Sequence, residues 1–581
     1  MSQFKLRNPD VKTVSQLVQA NTGMDEKTLL DPSSQVFPIV NMEKAARKII
    51  EAQKARRRVY VFGDYDVDGI CSSAILSLVL NAMFYMGARV RLPYRFSEGY
   101  GCSPEAIDEF EDGSLLILID NGIVAYDAID KAKAKGMDVV VIDHHLPKLG
   151  DDGKPILPNA DVIVDPHVFP GEFNDYCAGG LAYRAVCEYL QLSGEDQGFD
   201  YFHYKPMADI LTGCRAIAAI ATISDSVRLT GENRKIVREG IEVINKLPEA
   251  LPKGLRVLIE KLELSGVVDE KAIGFRIGPC LNAPGRLYDR GAGKAYTLLI
   301  KRMTFKEAGD AVADILEDNE TRKQLCSDWF ETAREEIEKG QMEDHYPVVL
   351  SIPGIPEGVI GIIAGKVSEA YKTPAIVLCD DGTGLCKGSA RTYGSVHVKE
   401  LLDLHSDLIE KYGGHAGAAG LTVRLENVEK LRSCLNASLG KKPEEIGADV
   451  FYDIEIARVD VPATMTEVNR FKPYGEGNPA PVVLIRDLTL IPDGSEHYKL
   501  LNANGLKLNA GNVVGLSFDC TEKYLALGAP SKVDLVGTLS QSFLRGNVTN
   551  QIEFSDVAAS ETQGKKTALQ LALEKRALER T

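Results

Sequence analysis

The sequence predicts a multidomain α/β protein: a parallel-sheet first domain, a long connecting helix, a second α/β unit and a small C-terminal β-barrel. Three observations predict it. Apolar runs alternate with helical stretches from about residue 58 to 240, the pattern of a parallel sheet covered by helices. A long polar, helix-favouring segment follows and holds the only tryptophan, Trp329. From about 448 to 558 the chain turns to short alternating strands broken by Gly, Asn and Pro, which reads as a small barrel.

In chain order, residues 1–57 read as an N-terminal helical lead-in. Its amphipathic stretch Met42 to Arg58 ends in Arg56-Arg57-Arg58, a solvated helix end before a phosphate contact. Strands are expected at Val59–Gly63, Arg89–Pro93, Leu115–Asp120, Val139–Asp143 and Val162–Asp165, with helices at Ser72–Met86, Ala125–Lys135 and Leu181–Leu190. The connector runs from 303 to 345, with a helix from Phe305 to Gly340. The second unit, 346–440, opens with the strand Val348–Ile352, continues through a helix at Ile360–Ala370 and returns as the strand Ala375–Leu378. The tail, 559–581, carries a basic amphipathic helix from Lys565 to Arg580.

At 581 residues the chain is too long for one core. The N-terminal stretch lacks the apolar segment of a signal peptide, and no apolar stretch approaches a membrane span, so a cytoplasmic protein without membrane contact is expected. Eleven cysteines without C-x-x-C spacing argue for reduced thiols and against both a disulfide framework and a zinc site. The net charge of −16 counts against nucleic-acid binding by the whole surface, but a basic groove can coexist with an acidic exterior.

The chemistry concentrates where apolar strands end. Gly63-Asp64-Tyr65-Asp66-Val67-Asp68-Gly69 follows the first strand. In an extended stretch alternate side chains share a face, so Asp64, Asp66 and Asp68 would converge and suit a hard divalent cation. An acidic surface loop is the alternative. An EF-hand fails, because its twelfth position, counted from Asp64, is Ile75 rather than Glu. Asp120 ends the run Leu116 to Ile119, where it would bridge metals or cap a turn. Asp143-His144-His145 closes Val139 to Ile142, and adjacent imidazoles after an aspartate favour a functional site over structural histidines. Asp225 ends Ala218 to Ser224, with Asp165 before Pro166 as a competitor for its role. Two Gly-rich segments, Gly278–Arg286 and Gly413–Gly420, would bring backbone amides, Arg286 and His415 to a phosphate, or would simply be tight turns.

In this order the segments resemble the DHH phosphoesterases that carry a DHHA1 domain, and within that family its single-stranded-DNA-specific exonucleases. The resemblance spans nearly the whole chain. It rests on Gly63–Gly69, Arg95 to Gly101, Asp120-Asn121-Gly122, Asp143–His145, Thr222–Asp225 and Leu281–Arg286, then on Gly358 to Ile362, Gly388 to Arg391, Gly413–Gly420 and Pro473 to Pro479. It implies a DHH catalytic domain at 58–302, a DHHA1 substrate-binding domain at 346–440 and an OB-like nucleic-acid-binding domain at 448–558.

The implied activity is a 5′-to-3′ exonuclease for single-stranded DNA, a hydrolase of DNA repair and recombination. It would use two ions of Mn²⁺ or Mg²⁺ about 3.5–4 Å apart. Asp66, Asp68, Asp120, His144 and Asp225 would hold the metals together with Asp64, and Asp120 would bridge them. Asp143 would support the shell and His145 would face the scissile phosphate. Arg95, Asn282, Arg286, Arg391, Gly414 and His415 would hold substrate. Tyr498, Phe518, Phe543 and Arg545 are candidate strand contacts on the OB-like domain, with core packing favoured for each Phe. Cys280 stands where these exonucleases carry Arg, and Ile355-Pro356 where they carry Trp-His; both departures fall on expected DNA contacts and neither on the metal cluster.

A monomer is expected, with a helicase and single-strand-binding protein as candidate partners. The rival functions are a phosphodiesterase for short oligonucleotides or RNA, a non-catalytic replication scaffold and a manganese pyrophosphatase. A separate OB-like domain favours long strands over the first. The full set of carboxylates and imidazoles argues against the second, and the Gly-rich second unit against the third.

Overall fold

Strands buried on both faces need apolar residues, and four such segments with one polar edge strand, Ala88–Arg91, build the first sheet. In a computed structural model of the chain they lie in the order Ala88–Arg91, Val59–Phe62, Leu115–Ile119, Asp138–Ile142 and Val162–Val164, and every neighbouring pair is parallel. The structure describes residues 4–84, 87–195, 199–200, 205–380, 382–442, 449–492, 496–501, 505–544 and 547–560. It divides into two units, one of residues 32–444 and one in which the N-terminal 31 residues join those from 445 onward.

In the 32–444 unit, the helices Val67–Met83, Ala178–Ser193 and Met207–Ser224 belong to one large core with the sheet residues Val59, Val61, Ile117 and Ile142. The Met42–Lys54 helix buries Met42, Ala45, Ala46, Ile49 and Ala52 in the same core. The expected lead-in of 1–57 is therefore divided: this helix belongs to the 32–444 unit, while the first 31 residues belong to the other. Arg57, partly exposed, is committed to the protein rather than left to water or a phosphate. It clamps Asp138 Oδ2 at 2.6 Å and the carbonyls of Gly113 and Ser114 at 2.7 and 3.0 Å.

The helix Met207–Ser224 corrects a second expectation, since its length and apolarity would suffice to cross a membrane. Its buried residues, Cys214, Ala216 to Ala218, Ile220 and Ala221 among them, form part of the lobe's core.

The 35-residue helix Phe305–Lys339 is the connector. Thr304 caps it, with Glu307 completing a reciprocal capping box, so a mostly polar sequence starts where the box dictates. Its far end packs Ala333 and Ile337 against Leu350, Val359 and Ile363 of the second lobe. There the strands run Val348–Pro353, Ala375–Asp380, Leu385–Arg391, Ala418–Arg424, Ile409–Gly414; the first pair is parallel and the rest antiparallel.

In the other unit a seven-stranded mixed sheet surrounds one core that includes Val483, Ile485, Leu506 and Phe554. The strand Phe4–Leu6 pairs in parallel with Val450–Tyr452, Arg7 Nη1 reaches Asp453 Oδ1 at 2.5 Å, and Val14, Val18 and Leu29 fill the barrel core. Of the candidate strand contacts, Tyr498 packs edge-on against Tyr524 with ring centroids 5.6 Å apart. Phe518 is 67% exposed, which overturns its expected core role. Arg545, the side chain of Phe543 and the helix expected at 565–580 lie outside the described residues.

Candidate metal centre

Each acidic group enters the site because its strand runs out. Leu115–Ile119 is buried at every position, and Asp120 follows in the left-handed region at φ 62°, a conformation that aspartate tolerates better than most residues. Its amide is tied to Ile142 O at 3.1 Å. Asn121 staples the neighbouring strand end, with Nδ2 reaching Gly63 O at 3.0 Å and Phe62 O at 3.2 Å. Asp143 follows Ile142, and its amide donates to Val164 O at 2.9 Å.

The first motif does not work by strand alternation. The helix begins at Val67, earlier than expected, so Asp66 is its N-cap and accepts from the Gly69 amide at 3.0 Å. Asp68 sits in the first helical turn. Gly69 makes this turn possible, because a Cβ there would lie 2.5 Å from the Asp64 nitrogen. The three carboxylates accordingly separate. Asp64 and Asp66 gather with Asp120, while Asp68 gathers with His144 and Asp225; a third group joins Asp120, His144 and His145. Within each group the potential ligand atoms lie within 4.8 Å of one another. His144 Nε2 is 3.2 Å from Asp120 Oδ1 and 3.6 Å from Asp68 Oδ2, and its Nδ1 is 3.8 Å from Asp225 Oδ2.

Burial, then the charge of neighbouring aspartates, pushes Asp64, Asp120 and Asp225 well above the usual carboxylate range. Asp68 is pushed up to about 7 by burial and then by Asp66, against the pull of the Gly179 and Ala178 amides. Burial, and then the charge on His145, takes His144 down to about 3, which keeps it a neutral ligand. Around His145 burial is outweighed: the hydrogen bond and charge of Asp143 lift it to about 9 and hold Asp143 at about 2. The bond, His145 Nδ1 to Asp143 Oδ1, is 2.8 Å.

The donor set fits a pair of hard divalent cations. Carboxylates crowded this closely need positive charge, imidazole completes the set, and Asp64 Oδ1 is buried with no hydrogen-bond partner. Asp165, the competitor for Asp225, is pushed up to about 7 by burial and then by Asp143. It is Asp225, and not Asp165, that joins Asp68 and His144.

Two supports of this centre escape the sequence reading. The helix Ala178–Ser193 points its N-terminus at Asp68, and the Ala178 and Gly179 amides each donate at 2.7 Å. Cys-Ala-Gly-Gly before a helical run was the available cue. Tyr100 Oη lies 3.1 Å from His145 Nδ1 and 3.2 Å from Asp120 O, linking the imidazole to the strand end.

Gly179 carries a prediction. A Cβ there would lie 2.3 Å from Ala221 Cβ and 3.1 Å from Asp68 Oδ1. Gly179→Ala should cost about 1–3 kcal/mol by overpacking and weaken Mn²⁺ binding roughly 10–100-fold. Thermal melts and calorimetric Mn²⁺ titration read both, and unchanged affinity would refute the role given to this helix end.

The candidate substrate groups sit in the same unit. The Arg95 guanidinium stacks 4.4 Å over the Tyr65 ring, and its Nη1 is buried without a partner. Asn282 Oδ1 is likewise buried and unpartnered. The Gly278–Arg286 segment is no loop but part of a helix, Gly278–Leu287, with Pro284 inside it, so neither free-amide cradle nor tight turn applies. Arg286 Nη1 donates to Gly358 O of the second lobe at 3.0 Å. Burial, then the charges of Arg95 and Arg322, lowers Arg286 to about 10. Arg391 stays within the second lobe, bound to Ser389 Oγ and Ala390 O at 2.7 and 2.8 Å. Gly414 ends a strand, and the His415 amide closes the hairpin on Ala418 O at 2.8 Å. The His415 ring feels His145 and His167, since burial and then their charges lower its pKa. Cys280 is 1% exposed and turns away from solvent to Asn319 Nδ2 at 3.4 Å. Ile355 is buried in the second lobe's core.

Comparison with known proteins gives the following likenesses. Residues 58–219 match the DHH family, N-terminal domain; 345–441 match the DHHA1 domain; and 452–556 match the RecJ OB domain. The single-stranded-DNA-specific exonuclease RecJ of Bacillus subtilis is 31% identical over 91% of this chain, which spans 66% of that protein. RecJ of Haemophilus influenzae is 29% identical over 82% of this chain and 83% of its own length. RecJ of Thermus thermophilus, solved with Mn²⁺, superposes with a TM-score of 0.77 at 25% identity, covering 96% of this chain and 79% of that one. A second RecJ bound to manganese gives 0.57 at 28% identity, over 71% and 97%.

Proposed function

The chain belongs to the DHH family, among its RecJ-type exonucleases, and from that premise we propose that it degrades single-stranded DNA from the 5′ end with two bound ions of Mn²⁺ or Mg²⁺. It is a metal-dependent exonuclease for single-stranded DNA. One observation carries the assignment of residues: Asp120 belongs at once to the group with Asp64 and Asp66 and to the group with His144 and His145, the position of a bridging ligand. Asp68, held by two helix amides, and Asp225 form a further group with His144. The ions supply a water made nucleophilic at neutral pH and charge stabilisation of the attacking and leaving oxygens.

The protein's part is to hold and orient. Asp143 fixes the His145 ring through Nδ1, which leaves Nε2 available to an oxygen of the scissile phosphate. Arg95, Asn282 and Arg286 receive the strand on the catalytic lobe, and Gly414, His415 and Arg391 on the second; the orphaned Arg95 Nη1 and Asn282 Oδ1 support the first trio.

The test is digestion of 5′- and 3′-end-labelled single-stranded DNA and RNA with Mn²⁺, Mg²⁺ or EDTA. Nucleotides should leave the DNA 5′ end, and EDTA should reduce release to background. Equal release from the 3′ end, or indifference to EDTA, would sink the proposal. A cytoplasmic, monomeric protein of DNA repair and recombination follows from the same reading, supported by eleven cysteines that are all free. Its substrate must be supplied by strand separation, which makes a helicase and single-strand-binding protein the partners we propose.

A further inference from the structure

Phe275 is 81% exposed, although a phenylalanine left in water gives up the burial that would stabilise it. It lies on a π-helical turn, Ile273–Ile277, and such wide turns recur at functional sites. The turn is anchored by buried Ile273 and Ile277. It lies against the end of the Met207–Ser224 helix: the Cβ position of Gly274 is 3.5 Å from Ile223 Cγ2, and that of Gly278 is 2.7 Å from Ser224 Oγ. Asp225, a candidate metal ligand, is the next residue.

The turn runs without a break into the helix Gly278–Leu287. Phe275, Pro279, Asn282 and Arg286 follow one another at spacings of about one helical turn, so they form a single stripe. All four are at least partly exposed, whereas Ile277, Gly278, Cys280, Leu281 and Ala283 to Gly285 are buried. At one end of the stripe Gly285 approaches Tyr65 O, its Cβ position 3.2 Å away, and at the other Gly278 meets Ser224. The stripe therefore passes the metal centre from the Asp66 side to the Asp225 side. Asn282, with its buried unpartnered Oδ1, lies midway, and Phe275 stands roughly 10 Å further along.

Cations accompany it. Arg276 follows Phe275 and donates to Leu262 O. From the neighbouring Phe305–Lys339 helix, Arg322 is held by Asn319 Oδ1 at 3.2 and 3.0 Å, and Asn319 is held in turn by Cys280 Sγ.

Building on the exonuclease reading, we infer that Phe275 is a stacking platform for a nucleobase in the uncleaved part of the strand, on a track continuous with Asn282 and Arg286. An aromatic face on a track that also carries arginine is a combination that grips single strands without reading their sequence. A terminal nucleotide leaves after each cut, so a platform displaced along the track from Asn282 and Arg286 meets the strand that stays.

The test compares a long single strand with a dinucleotide, using the full chain with Mn²⁺. Phe275→Ala should lower the ratio of kcat/KM on the long strand to that on the dinucleotide about tenfold, and Phe275→Trp should restore it. An unchanged ratio in a folded Phe275→Ala protein, or no rescue by tryptophan, would overturn the inference. Stacking is also read without turnover, by 2-aminopurine placed at successive positions of a bound strand. Quenching should occur at one position and vanish in Phe275→Ala. Identical profiles would overturn the platform even if end-labelled strands proved resistant to cleavage, a failure that would instead count against the exonuclease reading.

Discussion

Asp120→Asn should lower the rate of single-strand hydrolysis by a factor on the order of 10³ or more, because the carboxylate proposed to be shared by the two ions would no longer hold them for charge stabilisation worth several kcal/mol. Asparagine is the informative replacement. It accepts the left-handed φ of 62° that alanine would resist, so the strand end keeps its course. It also removes one of several buried carboxylates that repel each other, which pushes the remaining balance toward a quieter metal-free site. The metal-free variant should thus melt no lower than the parent, while calorimetry shows Mn²⁺ stoichiometry or affinity reduced. Near-normal turnover at saturating Mn²⁺ would remove Asp120 from the bridging position. A lowered melting temperature would contradict the repulsion attributed to it.

His145→Ala should cost roughly 10²–10⁴-fold in single-turnover rate, and for a different reason. The imidazole is fixed by Asp143 at 2.8 Å and approached by Tyr100 Oη at 3.1 Å, and it carries its proton at neutral pH. It is thereby set to donate to a phosphate oxygen. Asp143 keeps three amide donors, from Ile123, His144 and His145, when the ring is gone, so the loop should hold. Mn²⁺ affinity should change far less than the rate. Parallel losses in both, or a rate loss below tenfold, would make His145 a metal ligand or a bystander.

The strand ends were legible in the sequence because strands buried on both faces leave unbroken apolar runs, and a carboxylate closing such a run stands out. Asp120 and Asp143 were found in this way. What Asp68 does was not legible. Its position depends on a helix that starts at Val67 and on amides of Ala178 and Gly179, supplied from far along the chain. The segment Gly278–Leu287 looked like a loop because Gly and Pro disfavour helix, yet packing against Ser224 and Tyr65 outweighs that local preference. Arg57 shows the opposite limit: a basic run suggests water or phosphate, and only tertiary structure turns it into a clamp on Asp138. The strand Phe4–Leu6 was missed because three residues carry no periodicity.

That small strand has a bearing on how the protein is made. Arg7 and its partner Asp453 are 446 residues apart, and Phe4–Leu6 meets its own partner at the same remove. A ribosome adding roughly 5–20 residues per second would take about 20–90 s to bring the two together. For all that time the earlier barrel segment, with Val14, Val18 and Leu29 in the barrel core, must wait while residues 32–444 emerge and fold. The catalytic unit is thus inserted within the sequence of the barrel unit, and the later barrel segment completes the earlier one. A nascent chain halted before Val450 would carry a finished nuclease lobe and an apolar segment, Val14 to Leu29, without its barrel core.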